Sequence, residues 1–596
     1  MTIITPDRPV AEIHTLPDAL RLRREKQPDE TAYVFLRDGE EPKESLTYRN
    51  LDDAARVRAA AFETADLAGG NAVLLYPSGL EFIRTLVGCM YAGVAGAPVQ
   101  VPRRRQGVER LRRIADDAAT TTVLTTAEVK RDLEERFGDC PELAGLTLID
   151  TEALTAPPAV DPARYEFRAP RPEDIALLQY TSGSTGDPKG VMVTHGNFLS
   201  NVVETDELWP CEPDGTVVSW LPLFHDMGML FGVVLPLWAG VPSYLMAPES
   251  FIRRPARWLE AISRFRGTHS AAPSFAYELC ARAAEEGKTA NVGDLSSWRV
   301  AANGAEPVRW RAVRAFTEAF AANGFNPRAM APGYGLAENT LKATGSPQDR
   351  EPTVLWLSTR ALGEGRIELL GEGAEGATPV VGSGVPVLDT RVRIVAPATR
   401  ALCPPDRVGE IWVSGPCVAA GYLGRPEASE ETFRARLRGS APASDETHLR
   451  TGDLGFLHDG ELYVTGRIKD VLIRNGRNYY PQDIELSAEA AAPGLHPNCA
   501  AAFSVDDGAE ERLVVLVEAD GRVLRAPGEQ ALRRRVRAAI RENHRLEADV
   551  VLVVRRGALS KTSSGKVQRR ACRQRYEDGA LDSFVVPPAG SAQVAR

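Results

Sequence analysis

No two cysteines in this chain stand as C-x-x-C, and the eight present are scattered along 596 residues. That argues against a zinc ribbon and a disulfide framework, and a reducing, cytoplasmic setting fits best. Nor is there an unbroken apolar run of about 20 residues, the length a membrane-crossing helix needs. The two richest stretches, Thr85 to Pro102 and Met227 to Pro248, are interrupted by glycine and proline, so both are expected in a buried core. The opening Met1-Thr-Ile-Ile-Thr-Pro-Asp-Arg lacks the apolar centre of a signal peptide. Basic charge is not in excess. With 71 Lys and Arg against 80 Asp and Glu, the net charge of −9 gives no reason to expect nucleic acid. Internal repeats are missing too.

What is present is an ordinary globular composition, 43% hydrophobic and 25% charged, in a chain too long for one core. Two or more domains are expected. One stretch organises the rest: Tyr180-Thr-Ser-Gly-Ser-Thr-Gly-Asp-Pro-Lys-Gly190, following an apolar run of strand length. Glycines let the backbone turn its N–H groups toward an anion, hydroxyls add neutral donors, and Lys189 adds charge. This is a phosphate-gripping composition. It is not the G-x-x-x-x-G-K-[ST] loop of P-loop NTPases, because Pro188 precedes the lysine and Gly190 follows it. A flexible Ser/Gly surface turn is the competing reading.

Up to about residue 175, short apolar strands (Ala72 to Tyr76, Thr121 to Thr126, Leu146 to Asp150) alternate with amphipathic helices, which predicts a parallel sheet covered by helices. Arg103-Arg-Arg reads as a solvated turn, and the Pro/Ala-rich 155–172 as a connector. The alternation resumes after the loop. His225 and Asp226 end one apolar strand, and Asn303-Gly-Ala-Glu-Pro and Pro332-Gly-Tyr-Gly-Leu-Ala-Glu end two more. In open α/β sheets ligands sit beyond such carboxyl ends. From about 355 the pattern turns to short strands, Gly365 to Leu370 among them, and from about 468 to a compact α+β unit. That unit ends in a second hydroxyl–glycine–lysine run, Leu559-Ser-Lys-Thr-Ser-Ser-Gly-Lys566, which alone reads as a basic turn.

In this order the motifs resemble the adenylate-forming superfamily of acyl-CoA synthetases, luciferases and peptide-synthetase adenylation domains. The resemblance covers nearly the whole chain. It implies a large N-terminal α/β domain of helix-covered sheets (1–467), carrying a small β-rich subdomain, and a small mobile α+β C-terminal lid (468–596). Within the first it implies α/β subdomains 1–175 and 176–354 and a β-rich subdomain 355–467. By that likeness ATP is the cofactor. Its phosphates would be held by Thr181, Ser182, Gly183, Ser184, Thr185, Gly186 and Lys189. Gly304, Ala305, Glu306, Pro307, Gly333, Tyr334 and Gly335 would flank the adenine. Glu338, with Thr185, would hold Mg2+. Asp453 and Arg467 would bind the ribose, Lys469 would be the hinge, and Lys566 would be the lysine essential for adenylation.

One branch is closer than the rest, the fatty acyl-AMP ligases. Leu221-Pro-Leu-Phe-His-Asp-Met-Gly, Phe251 to Arg266 with the following Ala271 to Cys280, and Leu559 to Arg573 carry that likeness. The segment from about Val354 to Gly376 looks like the insertion of this branch that CoA-forming relatives lack. Ala337 replaces the superfamily's usual threonine before the acidic residue. His225, Asp226, Gly228 and Phe231 are expected at the acyl pocket, with Phe231, where relatives often have glycine, shortening it. The resemblance implies a fatty acid substrate and a carrier partner, the phosphopantetheine arm of an acyl carrier protein of a polyketide or peptide synthase. A long-chain acyl-CoA synthetase and a non-catalytic nucleotide- or acyl-binding protein are the alternatives. Retention of Lys566, Glu338, Asp453 and Lys189 together speaks against the latter.

Overall fold

Apolar runs of four or five residues are too short for helices and become strands, three of them (71–75, 95–99 and 122–125) buried on both faces and the edge strand 147–150 only partly. Asn71–Leu75, Ala95–Val99, Thr122–Thr125 and Thr147–Asp150 pair in parallel, and Ile175–Thr181 with antiparallel Lys189–Thr194 completes a six-stranded sheet. A computed structural model describes residues 13–154, 169–181, 188–439, 446–474, 477–506, 511–562 and 565–586.

A second, eight-stranded sheet runs Lys342–Gly345, Met330–Gly335, Val300–Asn303, His269–Ala272, Val217–Ser219, Ser243–Met246, Thr31–Arg37, Glu41–Thr47. Its last two strands come from the start of the chain, with Tyr33 opposite Ser243 in a parallel register. Division at 175/176 therefore does not follow the sheets. Residues 31–47 join the later sheet, and 175–194 close the earlier one. The reason is non-local. Tyr33, fully buried, donates its hydroxyl to the carbonyl of Val233, 200 positions on, and no sequence pattern announces that partner. Aromatic packing fills this half: Trp220 stacks on Phe251 at 4.0 Å, and Trp258 meets Tyr277 and Trp298 edge-on.

The two apolar stretches are core, as expected. The first becomes helix Glu81–Ala92 and a strand, separated at Gly93, whose φ of +68° stops the helix. The second becomes helix Asp226–Met229, a π-helical turn Leu230–Val234, helix Leu235–Ala239 and a strand. Among the described residues no helix is long and apolar enough to cross a membrane.

Arg391–Val395, Gly409–Ser414, Leu449–His458 and Glu461–Arg467 form a four-stranded antiparallel sheet. The strand expected over 365–370 is not one. Only isolated bridges, Arg366 to Arg407 and Leu357 to Leu369, hold that segment. Beside it Val354–Ser358 pairs antiparallel with Ala377–Val381, with helix Thr359–Gly363 between. Leu357 and Leu362 are buried against Phe456, Tyr463 and Tyr480, so this excursion is packed down. Further along, Ala500–Asp506, Glu511–Ala519 and Val550–Arg555 make a three-stranded sheet. Strand periodicity of two sends Ala502, Val515 and Val553 toward helices Pro481–Ala490 and Glu529–His544, and Phe503, Val514 and Leu516 toward helix Arg569–Glu577.

Candidate active site

The carboxyl ends of strands from both large sheets open on one cleft of about 2080 Å3, which residues of the segment beyond 468 also line. Thr181 ends strand Ile175–Thr181, its backbone opposite Lys189. Ser182, Gly183, Ser184, Thr185 and Gly186 lie outside the described residues. Both ends of that stretch are anchored. Tyr180 donates its hydroxyl to Asp117 at 2.9 Å, and Arg425 donates to Asp117 at 2.7 Å and to the Pro188 carbonyl at 3.3 Å. Lys189 lies with its Nζ 4.9 Å from the centre of the Tyr422 ring.

Asp453, Tyr334 and Arg467 meet on one cleft wall. Tyr334 donates its hydroxyl to Asp453 Oδ2 at 2.8 Å, and Arg467 Nε donates to Oδ1 at 2.6 Å. Asp453 is only 5% exposed, while the Arg467 side chain is 62% open to the cleft. The neighbouring carboxylate raises the guanidinium's pKa. Gly304 and Gly335 are required by close approach. An added Cβ would stand 2.7 Å from the Gly333 carbonyl oxygen and 1.9 Å from that of Leu341. Ala305 takes a left-handed φ of +64°, turning Glu306 back to accept the Phe275 amide at 2.7 Å. Pro307 lines the same wall.

Glu338 sits in the turn Ala337–Asn339 and accepts the Tyr422 hydroxyl at 2.8 Å. Burial pushes its pKa up, so a cation beside it would relieve the carboxylate. Among the described residues no group of three or more His, Cys, Asp or Glu gathers to hold a metal.

His225 Nδ1 lies 2.6 Å from Asp226 Oδ1. Burial opposes the charge on Asp226, but His225 and Lys566 more than offset it and hold its pKa below the usual value. Gly228 is forced, since a Cβ would fall 2.1 Å from the Pro222 carbonyl oxygen. Phe231 is buried, its ring tilted against Trp209 at 5.9 Å, and both side chains border the cleft.

Lys566 enters from the opposite side. Its pKa is lowered by burial and raised back by Asp226 and Glu306. Its amide donates to Thr562 Oγ1, and the Thr562 amide donates to its carbonyl, closing a tight loop. Gly565, at φ +83°, packs against Phe275, where a Cβ would come within 3.1 Å of the ring. Lys469 is exposed on the cleft rim.

Several residues at this site escaped the sequence reading. Tyr422 touches both Lys189 and Glu338 but belongs to no motif. Arg309 bridges the two sides, donating to Glu489 at 3.1 Å and to Asn498 at 2.6 Å. Burial raises Glu489 to about 7 against the pull of Arg309. Lys342 borders the cleft wall at 4% exposure, its Nζ without a hydrogen-bond partner among the described residues. Each is a lone residue fixed by tertiary contact, and only a comparison of many related sequences could have signalled it.

A family model described as AMP-binding enzyme matches residues 20–423, and one described as Disco-interacting protein 2-like, AMP domain, matches 469–584. The medium-chain-fatty-acid–[acyl-carrier-protein] ligase JamA of Moorena producens is 41% identical over 96% of this chain and 97% of its own. The long-chain-fatty-acid–AMP ligase FadD26 of Mycobacterium tuberculosis is 36% identical over 94% and 97%. A crystal structure of a fatty acyl-adenylate ligase from L. pneumophila, in complex with acyl adenylate and pyrophosphate, superposes with a TM-score of 0.74 at 33% identity over 97% and 98% of the two chains. Fold, motifs and relatives agree: the chain belongs to the AMP-binding enzyme family, the adenylate-forming enzymes.

Proposed function

We propose that this enzyme is a fatty acyl-AMP ligase. It joins a medium- or long-chain fatty acid to AMP at the expense of ATP, then passes the acyl group to the phosphopantetheine thiol of an acyl carrier protein. The product would enter polyketide, lipopeptide or lipid biosynthesis. The observation that carries this reading is the convergence on one cleft of Lys566 with the Asp453–Tyr334–Arg467 cluster and Glu338. The names of the relatives supply the substrate class.

A carboxylate is a poor electrophile because oxide would have to leave. Attack by its oxygen on the α-phosphate of ATP, with pyrophosphate departing, makes AMP the leaving group instead. A fatty acid is already ionised at pH 7, so no general base is needed. The protein's work is positioning and charge stabilisation. Lys566 would neutralise the α-phosphate and the incoming carboxylate, Lys189 and the loop before it the departing pyrophosphate. Asp453 and Arg467 would take the ribose hydroxyls, and Gly304 to Pro307 with Gly333 to Gly335 the adenine. His225, held by Asp226, would shape the acyl entrance, and Phe231 against Trp209 would limit its depth. A single buried carboxylate suits Mg2+, which is held by one or two carboxylates together with substrate phosphates. Glu338 would be that ligand, with Thr185 a second, and the ion would spread charge over the phosphates.

We assign the lid to 468–596, turning about Lys469, and the insertion to about 354–376. Its packing against Tyr480 supports a role in restraining the lid, which would keep CoA from the second step. Eight free thiols suit a cytoplasmic enzyme.

One mass-spectrometric assay tests the reading: a fatty acid panel with ATP and Mg2+, alone, with CoA, and with a phosphopantetheinylated carrier protein. Acyl-AMP in every tube, acyl-carrier in the third and no acyl-CoA is the expected result. Acyl-CoA in the second tube would make the protein a synthetase.

A further inference from the structure

Helix Arg105–Asp117 carries an unusual charge distribution. Its first turn has no acidic residue, and Arg103, Arg104 and Arg105 crowd its N-terminus. That end of a helix carries partial positive charge and prefers anions, so arginine there works against stability. Further along, Arg110 and Arg113 fall three apart and Asp117 four beyond, placing all three on one face. Arg104, Arg110 and Arg113 line the cleft. Among the described residues none of the three forms an ion pair or hydrogen bond, whereas Arg103 pairs with Glu249 and Arg112 with Asp116. Arg110 stays open to solvent at the cleft, and its charged form is disfavoured, first by the partial loss of water around it and then by Arg113.

The same helix is joined to both flanks of the hydroxyl–glycine stretch. Asp117, one turn beyond Arg113, accepts from Tyr180 just before it, and through Arg425 reaches Pro188 just after it. Unpaired guanidiniums thus run along the cleft wall and end at the base of that stretch. We propose that Arg104, Arg110 and Arg113 form a phosphate-binding subsite beside it, resting on the function proposed above. Two phosphates could occupy it: the pyrophosphate leaving the loop, and the phosphodiester of an incoming phosphopantetheine arm. Without a bound anion the arginines repel one another, and a phosphate group supplies the missing counter-charge.

The test uses the full chain and the variants Arg110→Gln, Arg113→Gln, their double, and Arg112→Gln as a control on the same helix but off the cleft wall. Inorganic pyrophosphate is titrated calorimetrically, and KM is measured for pyrophosphate in ATP–pyrophosphate exchange and for the carrier protein in acyl transfer. Each cleft-facing substitution should weaken phosphate recognition about 3- to 5-fold, as for half-exposed charge contacts, and the double about 10-fold or more. Arg112→Gln should leave every binding constant unchanged, and the melting temperatures of the Arg110 and Arg113 variants should hold because neither residue loses a partner, whereas Arg112→Gln gives up its contacts with Asp116 and the Ala144 carbonyl. Weaker pyrophosphate binding with carrier KM unchanged assigns the subsite to the product, and the reverse assigns it to the carrier arm. If all constants stay within 2-fold of wild type in the double variant, the subsite does not exist. An inactive wild type that still loses pyrophosphate affinity on substitution would sink the proposed function and leave the subsite standing.

Discussion

Tyr422 donates its hydroxyl hydrogen to Glu338 Oε1 at 2.8 Å while its ring lies 4.9 Å from the Lys189 ammonium. One side chain thus holds the carboxylate and the lysine in a fixed relation across the cleft. Tyr422→Phe keeps the ring and removes the hydrogen bond to a charged acceptor, worth about 1.5–3 kcal/mol. Exchange activity should fall about 10- to 100-fold and demand more Mg2+ for half-maximal rate. A Mg2+ titration of ATP–pyrophosphate exchange reads both. An unchanged titration curve would detach Glu338 from the metal.

Lys566→Ala should abolish adenylation by several orders of magnitude while ATP binding largely survives, because Asp453, Arg467 and Lys189 remain. Equilibrium binding of ATP beside single-turnover formation of acyl-AMP separates the two. Unaltered turnover would remove the lysine from its assigned role.

Asp453→Asn keeps the shape but weakens acceptance from Tyr334 and Arg467. KM for ATP should rise about 10- to 100-fold, the effect of losing about 1.5–3 kcal/mol of charge-assisted bonding. KM for the fatty acid should move little.

Arg309 is 14% exposed and faces Glu489, 8% exposed, across the cleft. Arg309→Met leaves the carboxylates Glu489 and Glu278 buried together, a loss of about 3–5 kcal/mol to the arrangement seen here. Adenylation should slow accordingly. Acyl transfer from pre-formed acyl-AMP should not, if the lid must leave this position to admit the thiol. Equal losses in both half-reactions would argue against a moving lid.

His195 and His269 are buried at 1% and 0% exposure, and burial lowers each to about 4 from 6.5. Between those pH values the unfolded chain binds protons that the fold refuses, so stability falls as pH drops through about 6.5 toward about 4. Each histidine contributes a loss of about 3 kcal/mol at the acid end. Urea denaturation at pH 7.5, 5.5 and 4.5 should show this, and His269→Gln should flatten part of the slope.

Much of this was legible beforehand where chemistry is local. The buried strands at Val73, Val123 and Val217 follow from short apolar runs, whereas Asp453, Arg467, Tyr334 and Lys566, which line one cleft, are singled out by the family resemblance of their motifs and not by local chemistry. What escaped depends on distant partners. Thr31–Arg37 has no feature telling it to pair with Ser243–Met246. Gly365 to Leu370 has strand-like residues, but its bridges reach only single residues of neighbouring segments. Arg103-Arg-Arg is exposed charge at a bend, as read from the sequence, and what the sequence could not show is the cleft that Arg103 and Arg104 border.

The pairing of Thr31–Arg37 with Ser243–Met246 also bears on how the chain is made. At ~5–20 residues per second, the roughly 200 residues between these strands take about 10–40 s to emerge from the ribosome. Throughout that interval Tyr33, Val34 and Leu36, all buried in the finished sheet, have no parallel neighbour. The emerging chain thus presents a sticky hairpin, Thr31–Arg37 against Glu41–Thr47, whose outer strand is charged at Glu41, Lys43 and Glu44. Those charges guard one edge during synthesis, and the other stays open until Ser243–Met246 arrives to pair with it.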